Sequence, residues 1–401
     1  TTSLLTHMLN TLGYIAKAGG NIGLPVLESL MQLCAEQHAS NAVKHPAFLV
    51  AEVSSYQLHY THHATPWACV HTNLKPDHLA WHGGLEAYLA AKTKLFYPLG
   101  QKASVWILPE TDPLTESLQH LSTLHPIGCS EKSPLWILTP ASSSATPPQK
   151  TSLPSHRITW HPTHEAALKY HPQGQATSSQ SISCKNFQLK GYHNIQNLAQ
   201  CLAIGYQLGH SPDALQHAFQ AFKGVAHRLA PLTPTRHGSG TIHWFNDSKA
   251  TNPEASQAGL QALASDILSQ TIPLFVLVGG HDKGTPLNAW CQDIARLIPQ
   301  AHPLKGSVIL YGEAQHRFID ALKAYTPEVP LHQVETLEEG CHYIVQQVEH
   351  YLSTQATSEP FTTYALLSPA CASFDQFRSF EHRGEVFEQW VNTLARQQND
   401  V

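Results

Sequence analysis

Hydrophobic and polar positions in this chain follow two spacings, one typical of helices and the other typical of buried strands. Near the N-terminus, Leu5, Met8 and Leu12 occupy positions i, i+3 and i+7 of one helix face. Residues 47–53 instead read Ala-Phe-Leu-Val-Ala-Glu-Val, a nearly continuous apolar run that predicts a parallel strand covered on both faces. A helical pattern followed by a strand pattern is the order expected of an α/β protein.

Similar apolar runs recur along the chain and are separated by helical patterns. They predict strands at, or ending at, residues 70–73, 136–138, 157–160, 244–246, 274–278, 308–312 and 365–367. Between residues 132 and 180 the periodicity is lost, and stretches rich in Ser, Thr and Pro predict surface excursions.

A boundary near residues 222–224 divides the chain into two predicted domains, 1–224 and 225–401. The first domain is predicted to hold a mostly parallel sheet, and the second to be Rossmann-like. We predict no NAD, because the second domain lacks G-x-G-x-x-G at its first turn.

The composition gives no reason to place this protein among nucleic-acid-binding, disulfide-rich or membrane proteins. The chain has 401 residues, of which 42% are hydrophobic, so it is long enough for more than one core. Its net charge of -5 and the absence of a basic run give no reason to expect nucleic acid. The eight cysteines include no C-x-x-C pair, which favours reduced thiols in a cytosolic protein. No apolar run approaches the ~20 residues that span a bilayer, and we recognise no signal peptide. We therefore expect a cytoplasmic protein that binds neither nucleic acid nor membrane.

Two side chains near predicted strand ends are candidate metal ligands. Glu52 interrupts its apolar run near the carboxyl end, where open α/β sheets place their ligands, and Mg²⁺ is a suitable partner for its carboxylate. The alternative is a buried structural glutamate. His78 follows another strand end, and a neutral imidazole binds metals well, with Asp77 beside it to orient it. An Asp-His pair on its own is weak evidence, since turns often contain both.

Lys92 is predicted to point inward. On a helix over residues 85–96, Leu85, Leu89, Lys92 and Phe96 share one face. A buried ammonium is costly, so the neutral amine is favoured there. A neutral amine can react with CO₂ to give a carbamate, an anion able to help hold Mg²⁺. The alternative is a lysine whose stem is buried and whose head reaches water.

Several polar residues are candidate nucleotide or substrate ligands. Asn194 and Asn197 lie three residues apart on a predicted helix, and their amides match the adenine edge, although Asn194 could instead cap that helix. Arg228 offers a permanent forked cation to phosphates. Lys283 follows two glycines that permit close backbone approach, and it could neutralise a phosphate or a substrate carboxylate.

The run Ser-Pro-Ala-Cys-Ala-Ser-Phe-Asp-Gln-Phe at residues 368–377 follows a predicted strand end. Pro369 prevents smooth continuation of the strand, and the small residues after it leave room for a ligand near the backbone. Ser373 is predicted to cap the helix that follows, where free N–H groups favour an anion such as a carboxylate.

Four strings resemble the Mur ligase family of peptidoglycan synthesis, in the branch that adds D-glutamate. They lie at residues 19–25, 54–58, 191–197 and 368–377, and the helix at residues 88–92 resembles the same family. The resemblance implies that residues 1–224 are a central P-loop-type ATPase domain. Residues 225–401 would then be a Rossmann-like domain that binds the incoming amino acid.

The resemblance also implies a reaction and a set of site residues. ATP would drive amide formation between UDP-N-acetylmuramoyl-L-alanine and D-glutamate through an acyl phosphate, with two Mg²⁺ sites in a monomeric enzyme. The catalytic residues would be Glu52, His78 and Lys92, and the metal ligands Thr1, Glu52, His78 and carbamylated Lys92. The ATP contacts would be Thr1, Thr2, Asn194, Asn197, Arg228, Asp282 and Lys283. The contacts to the other substrates would be Asn21, Ser54, Gln57, Thr285, Ser373, Phe374 and Phe380.

Three features leave alternatives open. The family's P-loop lysine would lie just before Thr1, so we expect the sequence to be a fragment that lacks this lysine and the N-terminal uridine-nucleotide domain. Leu229 and Ala230 stand where the family usually has an aromatic residue or Met, and then Glu. A related ligase, such as a folylpolyglutamate or diaminopimelate-adding enzyme, would share the ATP motifs, although the strings at 19–25 and 368–377 argue against it. A non-catalytic remnant is the alternative from another class.

Overall fold

The computed structural model divides into two compact units, Thr1–Lys223 and Gly224–Val401. It describes residues 1–39, 46–64, 66–74, 78–96, 105–110, 112–124, 135–140, 155–160, 167–171, 179–189, 191–298, 302–355 and 359–399. Most of the Ser/Thr/Pro-rich segment at 141–183, together with Asp77, lies outside the described residues.

The helices and strands of the N-terminal unit mostly alternate as far as residue 140, as the hydrophobic pattern predicts, and three further strands and two helices follow. They are α1 (Thr2–Thr11), β1 (Ile15–Gly20), α2 (Val26–Ala39), β2 (Ala47–Glu52), α3 (Ser55–Tyr60), β3 (Ala68–Val70), α4 (Leu79–His82), α5 (Leu85–Thr93), β4 (Val105–Pro109), α6 (Pro113–Leu124), β5 (Leu135–Pro140), β6 (Ser155–Trp160), β7 (Ala167–His171), β8 (Gln180–Ser183), α7 (Tyr192–Gln207) and α8 (Pro212–Gln220).

Two sheets form the strand layer of this unit in the part of the chain that is described. One contains β1 and β2 in parallel, and the other has the order β3-β4-β5-β6-β7-β8. The pairs from β3 to β6 are parallel, whereas β6-β7 and β7-β8 are antiparallel. No residue of β2 is fully buried, so the prediction of a strand covered on both faces was wrong. The reason is that residues 48–52 of β2 line a cavity instead of packing against a covering layer.

The C-terminal unit is built on one larger sheet. Its elements are β9 (Ala230–Pro231), β10 (Thr235–His237), β11 (Gly240–Asn246), α9 (Pro253–Gln270), β12 (Leu274–Gly279), α10 (Asn288–Leu297), β13 (Ser307–Tyr311), α11 (Gln315–Tyr325), β14 (Leu331–Gln333), α12 (Leu337–Thr354), β15 (Phe361–Leu367) and α13 (Phe380–Asn399). The strand order is β10-β11-β15-β12-β13-β14, with β9 also paired to β11. Five neighbouring strands, from β11 to β14, are parallel.

Helices cover both faces of this sheet, and alternate side chains of its strands enter different cores. On β12, Leu274, Val276 and Val278 pack in one core, whereas Phe275 and Leu277 pack in the other. This alternation is the period of two expected of a strand buried on both sides. It confirms the predicted α/β class with mostly parallel sheets. Among the described residues, no helix combines the length and apolarity needed to cross a membrane.

Candidate active site

A cavity of about 790 Å³ in the N-terminal unit brings several predicted site residues together. Its walls include residues 48–53 at β2 and residues 66–72 at β3. Within the described chain, each of these strands has a hydrogen-bonded neighbour on one side only. The start of α1 also contributes to the walls. Five predicted site residues line the cavity, namely Thr1, Thr2, Glu52, Gln57 and Lys92.

Glu52 ends β2 and contacts the loop after β1. Asn21 donates a hydrogen bond from Nδ2 to Glu52 Oε1 at 3.2 Å, and its backbone N–H bonds the Glu52 carbonyl at 2.7 Å. Gly20 precedes this contact with φ +105, and a Cβ there would lie 2.2 Å from the Glu52 carbonyl oxygen. A glycine is therefore required where the two strand ends meet. The predicted substrate residue Asn21 thus orients the predicted metal ligand Glu52.

Lys92 lies near the end of α5, with Nζ 5.1 Å from the centroid of the Tyr88 ring. It lines the cavity, but the helix face predicted to carry it inward was wrong. Leu85 is 45% exposed, whereas Tyr88 and Ala91 are buried. The helix ends at Thr93, so Phe96 lies beyond it and reaches the core from the turn that follows. The error arose because the helical period was extended past the real end of the helix.

His78 occupies a different surface from the cavity. It is the N-cap of α4 with a left-handed backbone, φ 54. Its exposed ring lies 4.9 Å from the ring of Tyr56, and it is not part of the cavity lining. Across the described part of the chain, no group of three or more His, Cys, Asp and Glu side chains is placed to hold a metal ion. The structure therefore unites Glu52 and Lys92 but not His78.

Ser54 and Gln57 form a capping box at the start of α3. The Ser54 hydroxyl accepts from the Gln57 backbone N–H at 3.3 Å, and Gln57 Oε1 accepts from the Ser54 backbone N–H at 2.8 Å. Each side chain satisfies a backbone donor that the first helical turn leaves unpaired. Two residues predicted to bind substrate therefore also have a structural role.

The start of α1 is hydrogen bonded to α7. The Thr1 hydroxyl lies 2.6 Å from Asn197 Oδ1 and 3.0 Å from Gln200 Oε1. Buried Gln200 also donates to the backbone carbonyl of His71 at 2.9 Å, next to the cavity. Gly191 is the N-cap of α7, so the alternative that Asn194 caps this helix was wrong. Asn194 lies one turn from Asn197 on the same helix, as its spacing predicts.

Two loops of the C-terminal unit are joined at the carboxyl ends of β12 and β15. His281 and Ala372 exchange backbone hydrogen bonds of 2.8 and 3.0 Å. Asp282 forms an ion pair of 2.6 Å with Arg317, which also donates to the carbonyl of Thr285. Lys283 is exposed between them. Arg317 thus fixes the two ends of the loop and leaves the Lys283 side chain at the surface.

Ser373 is buried in this loop, but it does not cap the helix that follows. The last helix, α13, begins seven residues later at Phe380, and the Ser373 carbonyl instead accepts two turn hydrogen bonds from Gln376 and Phe377. The predicted helix N-terminus behind Ser373 was therefore wrong. Phe374 is exposed, and the Phe380 ring lies 5.6 Å from Lys249 Nζ. A short tight turn, rather than a helix, follows the strand because Ala370 turns the chain at φ 58.

Sequence reasoning missed two buried charged residues beneath these loops. Arg383 is fully buried and donates to Ser248, at both its hydroxyl and its carbonyl, and to the Cys371 carbonyl. Asp247 accepts from Ser368 Oγ at 3.0 Å and from the Leu229 backbone N–H at 3.0 Å. Burial raises the pKa of Asp247 to about 7, although these hydrogen bonds and Arg228 act in the opposite direction. Both residues stand in polar stretches, Asn-Asp-Ser-Lys and Glu-His-Arg-Gly-Glu, so no local signal in the sequence marks either as buried.

Arg228 is exposed at the start of the C-terminal unit. The residues on either side of it, His227 and Leu229, have positive φ values of 60 and 49. Such backbone is strained for residues with a Cβ and persists only where neighbouring contacts hold it. Here the contacts are the Asp247 carboxylate on Leu229 and a hydrogen bond from the Lys249 backbone N–H to the His227 carbonyl at 2.9 Å.

The fold is shared with solved structures of other proteins. The structure of a UDP-N-acetylmuramoylalanyl-D-glutamyl-2,6-diaminopimelate--D-alanyl-D-alanyl ligase from Acinetobacter baumannii matches 98% of this chain and 73% of its own, with a TM-score of 0.60 and 16% identity. Folylpolyglutamate synthase from Mycobacterium tuberculosis, solved with ADP, matches 97% of this chain and 87% of its own, with a TM-score of 0.58 and 13% identity. At these identities the likeness shows the fold alone.

Sequence comparison shows the family. The model of the Mur ligase middle domain matches residues 1–205. The UDP-N-acetylmuramoylalanine--D-glutamate ligase of a Synechococcus species is 32% identical over 396 residues, which cover 98% of this chain and 72% of the relative. The chain belongs to the Mur ligase family.

Proposed function

We propose that the protein forms an amide bond between UDP-N-acetylmuramoyl-L-alanine and D-glutamate at the expense of ATP. The observation that carries this proposal is the 32% identity to a ligase of that name over 98% of the chain, which includes both units. Four residues predicted for the ATP phosphates and their metal also line one cavity, namely Thr1, Thr2, Glu52 and Lys92, whereas His78, Arg228 and Lys283 do not. We assign ATP use to the unit Thr1–Lys223 and amino-acid binding to Gly224–Val401.

The chemistry balances in two steps. The alanine carboxylate attacks the γ-phosphorus of ATP, the bond from that phosphorus to ADP breaks, and an acyl phosphate forms. The neutral amine of D-glutamate then attacks the acyl carbon, loses a proton, and expels inorganic phosphate. Neither step needs a side-chain nucleophile. The protein's contribution is therefore to position the reactants and to offset negative charge.

Mg²⁺ is part of the proposal. The Thr1 hydroxyl and the Glu52 carboxylate line the same cavity. An ion bound to a nucleotide takes only one or two protein oxygens, because phosphates and water complete its shell. These donors fit one Mg²⁺ ion, with a carbamate on Lys92 as a third, and the ion would offset phosphate charge. A second ion held by His78 stays a prediction.

The acceptor site is proposed at the joined loops of the C-terminal unit. D-glutamate carries two carboxylates, and this edge of the sheet presents the exposed Lys283 ammonium and the Ser373 loop. The buried Arg383 guanidinium adds a positive charge beneath the same loops. Charge-assisted hydrogen bonds from such groups suit a dicarboxylate. A cytoplasmic location follows from the proposed use of ATP, and the monomeric state stays a prediction.

Substitution of Glu52 tests the proposed ATP site. In the product of the full-length gene, Glu52→Gln should lower phosphate release by about 100-fold, because it removes a negative oxygen without changing side-chain size. Glu116→Gln, at an exposed carboxylate on α6 of the same unit, is the matched control and should retain activity. Phosphate release that depends on both other substrates supports the function. An unchanged rate in Glu52→Gln would remove that residue from the mechanism.

A further inference from the structure

Gln200 is a fully buried polar side chain next to the cavity, although it is not one of the residues that line it. It lies on α7, and both ends of its carboxamide are hydrogen bonded. Its Nε2 donates to the backbone carbonyl of His71 at 2.9 Å, and its Oε1 lies 3.0 Å from the Thr1 hydroxyl. A buried amide is costly unless its polar groups find partners. Gln200 therefore connects the start of α1 with the residue that follows β3.

The contact to His71 fixes the orientation of the Gln200 amide. A backbone carbonyl can only accept a hydrogen bond, so the NH₂ group of Gln200 must face His71 and its oxygen must face Thr1. The Thr1 hydroxyl therefore donates its proton to Gln200. Asn197 Oδ1 also lies 2.6 Å from this hydroxyl, which has a single proton. Since the Asn197 side chain bonds to no other described residue, its amide can rotate and offer an N–H to the Thr1 oxygen.

The carbonyl that orients Gln200 is itself held in place. The backbone N–H of His71 donates to the Ile107 carbonyl at 3.0 Å, and its ring Nε2 lies 2.9 Å from Asp112 Oδ1. Asp112 also accepts from the Leu74 backbone N–H at 2.7 Å. His71 and Asp112 are both buried. Because these contacts lie on either side of the His71 carbonyl, they keep it in position to bind the Gln200 amide.

We propose that Gln200 is a positioning residue for the proposed Mg²⁺ ligand Thr1. This inference rests on the proposed function, in which the Thr1 hydroxyl binds an ion beside the ATP phosphates. A hydroxyl binds a cation through an oxygen lone pair, so its proton must be donated to another acceptor. Gln200 accepts that proton and so orients the Thr1 oxygen for an ion held with Glu52. The loss of a partner that orients a metal ligand typically lowers metal affinity by about 10–100-fold.

The same helix contains a matched control one turn earlier. Gln196 Nε2 donates to the Thr72 backbone carbonyl at 3.0 Å, and in the described structure it forms no hydrogen bond with Thr1. Gln196→Met and Gln200→Met therefore each remove an amide bond between α7 and the residues after β3. They differ in the contact to the Thr1 hydroxyl, which only Gln200 makes of the two.

Calorimetry on the full-length gene product tests the proposal without turnover, because Mg²⁺ affinity can be read from the dependence of ADP binding on Mg²⁺ concentration. Gln200→Met should weaken Mg²⁺ binding by about tenfold, equivalent to about 1.4 kcal/mol, whereas Gln196→Met should leave it unchanged. Gln200→Glu should retain most of the affinity, because burial favours the protonated carboxyl group, which has the same donor and acceptor. ADP binding in the presence of EDTA should be equal in all of these proteins.

A double-mutant cycle separates this role from packing. Thr1→Val removes the hydroxyl, so Gln200→Met should cause no further loss of Mg²⁺ affinity in that background. Unchanged affinity in Gln200→Met, an equal loss in Gln196→Met, or an equal loss in both backgrounds would overturn the proposal. Gln200→Asn, whose side chain is one methylene shorter, replaces Gln200→Met in the same cycle if that variant does not fold. Wild-type protein that releases no phosphate with all three substrates would instead refute the proposed function.

Discussion

At the scale of single residues, the side chain of Lys92 has either a structural or a catalytic role. Its side chain lines the cavity with Glu52 and lies against the Tyr88 ring. An ammonium over a ring is a common packing arrangement. A carbamate at the same position would place a second anionic oxygen group in a cavity that already contains a carboxylate. The two roles differ in the functional group: an unmodified ammonium in the structural role, and an added carboxyl group in the catalytic role.

Lys92→Ala should lower phosphate release by about 100-fold, because it removes a charged group from the transferring phosphate's surroundings. If a carbamate is the working group, formate or acetate should restore part of the activity by supplying the missing anion. Lys185→Ala, at an exposed lysine of the same unit, is the control. Full activity of Lys92→Ala, or no recovery with any short carboxylate, would contradict the carbamate.

Asp247 predicts a pH effect on stability. Since burial raises its pKa to about 7, the folded protein keeps a proton that the unfolded chain loses above the ordinary aspartate pKa of 3.8. The resulting stabilisation is complete below that value and is lost as the pH rises through about 7. Asp247→Asn cannot lose this proton. Its free energy of unfolding relative to wild type should therefore improve between pH 4 and pH 8, by at most about 4 kcal/mol.

Thermal melts of wild type and Asp247→Asn across that pH range would measure the effect. Asp266→Asn, at a carboxylate contacted by the Tyr364 hydroxyl, serves as a comparison in the same unit. Melting temperatures that stay parallel for wild type and Asp247→Asn at all pH values would show that Asp247 is ionised throughout.

At the scale of elements, substitutions in the capping box of α3 distinguish a role in stability from a role in substrate binding. Ser54→Ala removes the hydroxyl that accepts the Gln57 N–H and should cost about 1 kcal/mol of stability. Ser54→Asp keeps an accepting oxygen and should retain most of that stability. Urea unfolding measures both. If Ser54 also binds substrate, both variants should raise the KM for the UDP-sugar, whereas a purely structural Ser54 would leave that KM unchanged in Ser54→Asp.

Element type was predictable from sequence wherever the apolar pattern was strong. The runs at 274–278 and 308–312 became β12 and β13, because parallel strands buried on both faces have no polar positions. Helix ends were less predictable. The face assigned to Lys92 assumed three more helical residues than α5 contains. The cap assigned to Ser373 assumed a helix directly after it, whereas α13 starts at Phe380. The end of a helix cannot be read from local sequence when it is set by packing and not by a strong capping residue.

The candidate site was predicted in part. Glu52 and Lys92 line one cavity because the end of β2 in one sheet, β3 at the edge of the other sheet and the last turn of α5 all contribute to its walls. The importance of Asp247 and Arg383 could not be read from the sequence. Their burial depends on contacts with Ser368 and Cys371, more than 100 residues and 12 residues away, which only the folded chain brings together.

At the scale of the whole molecule, the proposed reaction is divided between two units. Thr1–Lys223 holds the cavity proposed for the ATP phosphates, and Gly224–Val401 holds the loops proposed for the amino acid. Each unit has its own sheets, and the family resemblance covers both. An enzyme organised in this way should not release phosphate productively unless every substrate is present.

The most direct measurement is phosphate release by the full-length gene product with ATP, Mg²⁺, UDP-N-acetylmuramoyl-L-alanine and a panel of amino acids. The panel should contain D-glutamate, L-glutamate, D-aspartate and a diamino acid. We predict release that requires UDP-N-acetylmuramoyl-L-alanine and is fastest with D-glutamate, together with a product heavier by one glutamyl residue. A faster rate with L-glutamate or the diamino acid, or release that is independent of the UDP-sugar, would contradict it.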